Sequence, residues 1–238
     1  MVVVQDKIML EQSILSPKTS GVVLHQGTVL KLVPDAEMPD SIAERGTWYN
    51  HVVYLPTRDE NGKYVKEYAL ISQHSDVSIG YLPLTRENLL RVAFNCLGNR
   101  LGWGGMLGAT DASSYCKAVY KCFGLDLPRN TSWQREVPNR VIDLSGMTDE
   151  EKSDFINRLP AGTLLYINGY SMIYIGNYEG TNFAIGSTGR VASREEEGKL
   201  KSVYGVAVLP LSTLRRNGNT FLNEIKCAVV YDNGYSLE

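Results

Sequence analysis

The sequence predicts an α+β protein in which a small β-barrel precedes a domain whose helices come before an antiparallel sheet. Short β-rich runs separated by turn residues fill the first third of the chain. At residues 83–85 (Pro-Leu-Thr) the hydrophobic period changes to that of a helix, and after residue 160 the β-rich runs return. We therefore expect one domain over residues 1–84 and a second over residues 85–238.

The predicted barrel contains five strands in about sixty residues, an arrangement typical of small barrels. The strongest local signal is the pair Asn61 and Gly62 between two β-rich runs, which indicates a hairpin. The expected strands cover residues 22–24, 29–33, 51–55, 64–71 and 77–82.

Each of the first two helices predicted in the second domain has a clear start signal. Thr85 is expected to cap a helix that ends near Gly98. Asp111 is expected to cap a second helix, which runs from about Ala112 to Phe123 and has one apolar face. This second helix should therefore pack along one side.

A third helix opens with a capping box at residues 148–151 (Thr-Asp-Glu-Glu) and stops at Pro160. The β-rich runs after it predict an antiparallel meander. Its strands are expected at residues 163–168, 171–176, 182–185, 203–209 and 227–231. The charge cluster at residues 194–197 is predicted to be a surface loop.

The composition argues against several classes of function. The formal charge of −2 comes from 24 basic and 26 acidic residues without a long run of either sign, so we expect neither nucleic acid nor anionic membrane as a partner. No stretch approaches the roughly 20 apolar residues of a spanning helix. We expect no membrane span and no signal peptide.

The four cysteines show no C-x-x-C pair and no histidine-rich neighbourhood, so a zinc site is not expected. Small buried side chains within the core are the expected role of all four. They are Cys96, Cys116, Cys122 and Cys227.

Four motifs in order carry the functional information. They are residues 101–105 (Leu-Gly-Trp-Gly-Gly), 110–114 (Thr-Asp-Ala-Ser-Ser), 124–131 (Gly-Leu-Asp-Leu-Pro-Arg-Asn-Thr) and 172–176 (Met-Ile-Tyr-Ile-Gly). Together they resemble the NlpC-type cysteine peptidases of the bacterial cell wall. The typical pattern of that family is Trp-Gly-Gly, Asp-Cys-Ser, Leu-Pro-Arg, and a histidine that opens a strand ending in Tyr-Ile-Gly. The resemblance is strong over residues 86–190.

The resemblance implies a papain-like fold preceded by a bacterial SH3-like barrel. It also implies cleavage of peptidoglycan stem peptides between D-glutamate and the following diamino acid, in a protein outside the cell or at the cell wall. A cysteine in the first turn of a helix would be the nucleophile, because the helix dipole favours the thiolate. A histidine would be the base, and no metal or organic cofactor would be needed.

The sequence departs from this pattern at both reacting groups. Ala112 stands at the nucleophile position, and its methyl group cannot attack a carbonyl. Tyr170 stands at the histidine position, where a phenol is a poor general base at neutral pH. All three histidines precede the second domain, and residues 183–185, near the third catalytic position, include no imidazole or amide. We therefore expect a catalytically inactive member that retains muropeptide binding.

The predicted substrate-binding residues are Asp111, Ser113, Trp103 and Tyr49. The resemblance implies that Asp111 and Ser113 help hold the free amino end of the stem peptide, although both residue types equally suit a helix cap. Tyr49, in the barrel, is predicted either to line a peptide groove or to belong to the core. Arg129 is expected to order the loop after the second helix.

Two other functions stay open at this stage. Cys116 lies one turn after Ala112 on the same helix face, so it could serve as a relocated nucleophile in an active hydrolase. Alternatively, the chain could be a protein-binding module that uses the old cleft for another partner.

Overall fold

The computed structural model describes residues 1–136, 140–192 and 199–231. Within these residues the chain divides into two units, Met1–Leu82 with Lys121–Gly124 and Pro83–Tyr120 with the part of Leu125–Glu238 that is described. The charge cluster predicted at residues 194–197 lies outside the described residues. The mixed helix and strand class predicted from the sequence is confirmed.

The first unit is rich in strands, and its longest element is a hairpin. Its strands are β1 (Val2–Val3), β2 (Lys7–Met9), β3 (Val23–His25), β4 (Lys31–Leu32), β5 (Ser41–Ile42), β6 (Arg45–Gly46), β7 (Asn50–Arg58), β8 (Tyr64–Ser72) and β9 (Val77–Ser78). The predicted turn joins β7 and β8, with the carboxylate of Asp59 accepting from the backbone N–H groups of Asn61 and Lys63. Gly62 has φ 75°, which a glycine adopts without steric cost.

The core of the first unit lies on one side of the β7–β8 hairpin. Val53, Leu55 and Ile71 are buried there beside Val3 and other apolar side chains. The sequence did not predict β1, β2, β5 and β6, because strands of two or three residues are too short to show a period. The strand-rich character fits a small barrel, while the SH3-like identity of this unit remains a prediction.

The second unit combines five helices with a six-stranded sheet in the described residues. The helices are α1 (Arg86–Phe94), α2 (Ala112–Lys121), α3 (Thr131–Gln134), α4 (Asp149–Asn157) and α5 (Phe221–Glu224). The strands are β10 (Arg140–Asp143), β11 (Leu164–Ile167), β12 (Tyr170–Tyr178), β13 (Thr181–Ala192), β14 (Leu200–Pro210) and β15 (Cys227–Val230). The sheet has the order β10-β15-β11-β12-β13-β14 with every pair antiparallel.

The sheet corrects one part of the predicted topology. Strands β11 to β14 form the expected meander, but β15 does not continue it. Instead β15 lies between β10 and β11, and its four residues are all buried. A continuous apolar run of this kind is typical of a strand covered on both faces.

All three predicted helix starts are present in the second unit. The Thr85 hydroxyl accepts from Asn88 N, and Thr148 forms a reciprocal capping box with Glu151. The first two helices end earlier than predicted, at Phe94 and Lys121. All four cysteines are buried, as the sequence predicted, and none forms a disulfide with another described cysteine.

Thr148→Ala should lower the free energy of unfolding by about 1 kcal/mol, because it removes the acceptor for an N–H of the first turn of α4. The effect can be measured by urea denaturation. Ser212→Ala, at an exposed position, is the control and should change stability by less than about 0.5 kcal/mol. Equal effects of the two substitutions would contradict a stabilising role for the capping box.

Candidate active site

A cleft of about 1310 Å³ lies in the second unit. Its walls come from the start of α2 and the segments before and after that helix. The first residue of β12, residues 187–190 of β13, and residues 215–217 complete them. The cleft includes both positions at which the sequence analysis placed the lost reacting groups, Ala112 and Tyr170. These two residues are 58 apart in sequence, yet the fold brings them to one site.

Ala112 is the first residue of α2, where the backbone N–H groups have no acceptor within the helix. Its side chain is 8% exposed and lines the cleft. The position therefore has the features that would activate a cysteine thiol, a helix N-terminus and access to a cleft. A methyl group cannot use them.

Asp111 caps α2, as the sequence predicted. Its Oδ1 accepts from Ser114 N at 2.9 Å, and its backbone N–H donates to Ser114 Oγ at 2.9 Å. On the other side, Oδ2 accepts from Gly104 N at 3.0 Å, so the cap also holds the Trp-Gly-Gly segment. The carboxylate thus joins two of the four sequence motifs.

Arg129 completes the bonding of Asp111. Its Nη1 lies 3.1 Å from Asp111 Oδ1 and its Nη2 lies 2.5 Å from Asp111 Oδ2, so the two side chains form a bidentate ion pair. Burial alone would raise the pKa of Asp111, but the hydrogen bonds from Arg129, Ser114 and Gly104 outweigh it and lower the pKa to about 2. Arg129 therefore pairs directly with the helix cap, a contact more specific than the loop-ordering role expected from sequence.

Ser113 belongs to the same network. Its Oγ donates to Asp111 Oδ1 at 3.2 Å and accepts from Arg129 Nη1 at 2.8 Å, and its carbonyl oxygen accepts from Gln134 Nε2 at 3.0 Å. The structure thus places Asp111 and Ser113 in contact, both engaged with partners inside the protein. This arrangement supports the interpretation of both residues as part of the helix cap.

Tyr170 lines the cleft at the first residue of β12. Its ring packs against Phe221 with 5.7 Å between ring centroids, and its hydroxyl lies over Gly186 of β13, where a Cβ atom would come within 2.7 Å. Burial raises the pKa of Tyr170 well above its ordinary value, and a hydrogen bond with Thr188 opposes this only in part. A phenol in this environment stays protonated at neutral pH and cannot act as a general base.

Cys116 does not lie in the cleft. Its side chain is fully buried in α2, and burial raises the pKa of the thiol to about 12. Thiolate is the reactive form of cysteine, and none is expected here at neutral pH. The geometry therefore opposes the alternative of a relocated nucleophile.

The two aromatic candidates are placed differently. Trp103 lines the cleft, is 81% exposed, and lies in the segment that Asp111 holds through Gly104. Tyr49 belongs to the first unit, where it is 79% exposed, so it is not part of the core. Its role in substrate binding remains a prediction.

Sequence reasoning missed most of the arginines of the cleft. Besides Arg129, the residues that line it include Arg135, Arg190, Arg215 and Arg216. They follow no motif, since they stand on three segments, at residue 135, at residue 190 and at residues 215–216, which only the folded chain gathers. Among the described residues, no group of three or more His, Cys, Asp or Glu is arranged to hold a metal ion.

Comparison with known proteins agrees with the motifs of the cleft. Residues 98–204 match the NlpC/P60 family. The matched region contains the Trp-Gly-Gly segment, the Asp111 cap, the Pro-Arg segment and strands β12 and β13. The resemblance found in the sequence is therefore confirmed for these residues. No curated protein matches the chain.

Two solved structures resemble the chain in fold. One is an NlpC/P60 endopeptidase from Photobacterium damselae subsp. piscicida, with 15% identity, a TM-score of 0.70, and coverage of 96% of this chain and 52% of that one. The other is an NlpC/P60 family protein from Bacillus cereus, with 18% identity, a TM-score of 0.59, and coverage of 97% and 62%. The chain thus spans about half to three fifths of the length of these NlpC/P60 proteins. No helix among the described residues is both long and apolar enough to cross a membrane.

Proposed function

We propose that the second unit is an NlpC-type scaffold that binds a peptidoglycan stem peptide or muropeptide without hydrolysing it. The observation that carries this proposal is the pair of side chains at the reacting positions of one cleft. Ala112 has no nucleophilic atom, and Tyr170 is half-buried, with the pKa of its hydroxyl raised by desolvation. The surrounding scaffold retains a capped helix and an open cleft, which supports the binding of a ligand.

The proposal also covers the first unit and the location of the protein. The first unit is a bacterial SH3-like barrel in this view, and the protein acts outside the cell or at the cell wall. The match of residues 98–204 to the NlpC/P60 family supports a cell-wall peptide as the ligand class. Because Trp103 and Arg129 line the cleft, it retains a surface that a peptide can occupy.

Calorimetry with the tripeptide L-Ala-γ-D-Glu-meso-diaminopimelate tests the binding half of the proposal. We expect measurable heat of binding, together with no product in a fluorogenic stem-peptide assay. Turnover that disappears in Cys116→Ser would instead establish an active hydrolase with a relocated nucleophile. Absence of binding heat, combined with a partner protein that co-purifies stoichiometrically, would favour a protein-binding module.

A further inference from the structure

Positively charged side chains outnumber negatively charged ones around the cleft. Among the described residues that line it, the charged ones are five arginines and one aspartate. They are Arg129, Arg135, Arg190, Arg215, Arg216 and Asp111. A chain whose overall charge is −2 therefore concentrates positive charge at this one site.

Two of the five arginines have acidic partners. Arg129 is paired with Asp111, and Arg215 forms an ion pair with Glu224 while its guanidinium lies 5.6 Å from the centroid of the Phe221 ring. These two guanidinium groups are held by the protein itself. Their charges are largely compensated.

The other three arginines, Arg135, Arg190 and Arg216, form no ion pair with a described residue. Arg190 stacks over Tyr204, with its guanidinium carbon 5.7 Å from the ring centroid, and both residues line the cleft. Stacking on one face leaves the N–H edges of a guanidinium available to a ligand. Arg190 and Arg216 are exposed, so both can reach a bound molecule.

Asp111, the one acidic residue among the described residues that line the cleft, has no bonding capacity left. The Asp111 carboxylate accepts from Ser114 N, Ser113 Oγ and Arg129 at Oδ1, and from Gly104 N and Arg129 at Oδ2. A carboxylate offers about four lone-pair sites, and five donors already use them. An ammonium group at this point would meet a saturated acceptor and the positive charge of Arg129.

We infer that the cleft recognises its peptide through carboxylate groups held by Arg190 and Arg216, and not through the free amino end. This inference rests on the proposed peptide-binding function and names the chemistry of its ligand. Guanidinium groups bind carboxylates in a planar, two-pronged geometry, which stem peptides rich in carboxylates can satisfy. Because the arginines are exposed, binding weakens as salt concentration rises.

Calorimetry with three ligands can distinguish recognition of the amino end of the peptide from recognition of its carboxylates. They are the tripeptide L-Ala-γ-D-Glu-meso-diaminopimelate, its N-acetyl derivative, and a derivative with its carboxylates converted to amides. We expect acetylation to change Kd by less than about threefold and amidation to weaken binding by more than about tenfold, since each lost charged contact is typically worth that much. Loss of binding on acetylation, with binding kept on amidation, would overturn the inference but leave the proposed function standing.

Two substitutions test the named arginines directly. Arg190→Gln and Arg216→Gln should each weaken binding of the tripeptide by about tenfold and flatten its salt dependence. Arg158→Gln, on the C-terminal side of α4 and outside the cleft, is the matched control and should leave Kd unchanged. Unchanged affinity in both cleft variants would overturn the inference. Absence of binding by all three ligands to the unmodified protein would overturn the proposed function and this inference with it.

Discussion

Ala112→Cys combined with Tyr170→His is expected to confer hydrolysis of a fluorogenic stem peptide. The new thiol would stand at the first residue of α2, where the helix dipole favours the thiolate. The imidazole would line the same cleft and supply the missing base. Since a general base typically contributes about 10²–10⁴-fold, kcat/KM should exceed that of Ala112→Cys alone by at least about a hundredfold.

Two control variants test whether the new thiol and the new imidazole cause the activity. Ala112→Cys with Tyr170→Phe changes the same two positions without adding a base, so it should remain at the level of the single variant. Cys116→Ser in the double-variant background should retain the activity, because Cys116 is buried outside the cleft. An inert but folded double variant would contradict the prediction.

Asp111→Asn is expected to lower the free energy of unfolding by about 2 kcal/mol at neutral pH, because the substitution removes the charge that Arg129 and the helix N–H groups stabilise. The carboxylate is only 19% exposed, so solvent screens this contribution little. Asp154→Asn, on the exposed side of α4, is the control and should cost less than about 0.5 kcal/mol.

The lowered pKa of Asp111 also predicts how the free energy of unfolding depends on pH. The pKa of Asp111 falls from its ordinary 3.8 to about 2 in the folded protein, so its contribution is complete above pH 3.8 and is lost as the pH falls through 2. The difference in unfolding free energy between the unmodified protein and Asp111→Asn should therefore shrink by about 2 kcal/mol between about pH 5 and pH 2. Urea denaturation at both pH values measures it, and a difference that stays constant would contradict this role of Asp111.

The parts of the fold that could be predicted from sequence are those with local causes. The cap at Asp111 and the capping box at Thr148 depend on residues three positions apart, so the sequence displays them directly. The β7–β8 hairpin follows from Asn61 and Gly62 in the same way. Strand β10 has only four residues and no clear period, and it was missed.

The candidate site was predictable to the extent that motifs mark it. The neighbouring motif residues indicate Ala112 and Tyr170, and the structure places both in one cleft, while their catalytic roles stay a prediction. The arginines that give the cleft its charge stand on segments up to 87 residues apart, from Arg129 to the adjacent pair Arg215 and Arg216. Only the antiparallel sheet and the segment before α5 bring them together, so no local pattern could have indicated them.

The central place of β15 constrains the order in which the second unit can be assembled. Strand β15 pairs with β10 on one side and β11 on the other, although it follows both of them by more than sixty residues in the chain. Until residues 227–230 have been synthesised, β10 has no partner in the described sheet and one edge of β11 is unpaired. Late, long-range pairing of this kind is slow and exposes apolar edges to aggregation. A chain shortened before Cys227 should therefore accumulate as aggregate, even though the entire cleft precedes that residue.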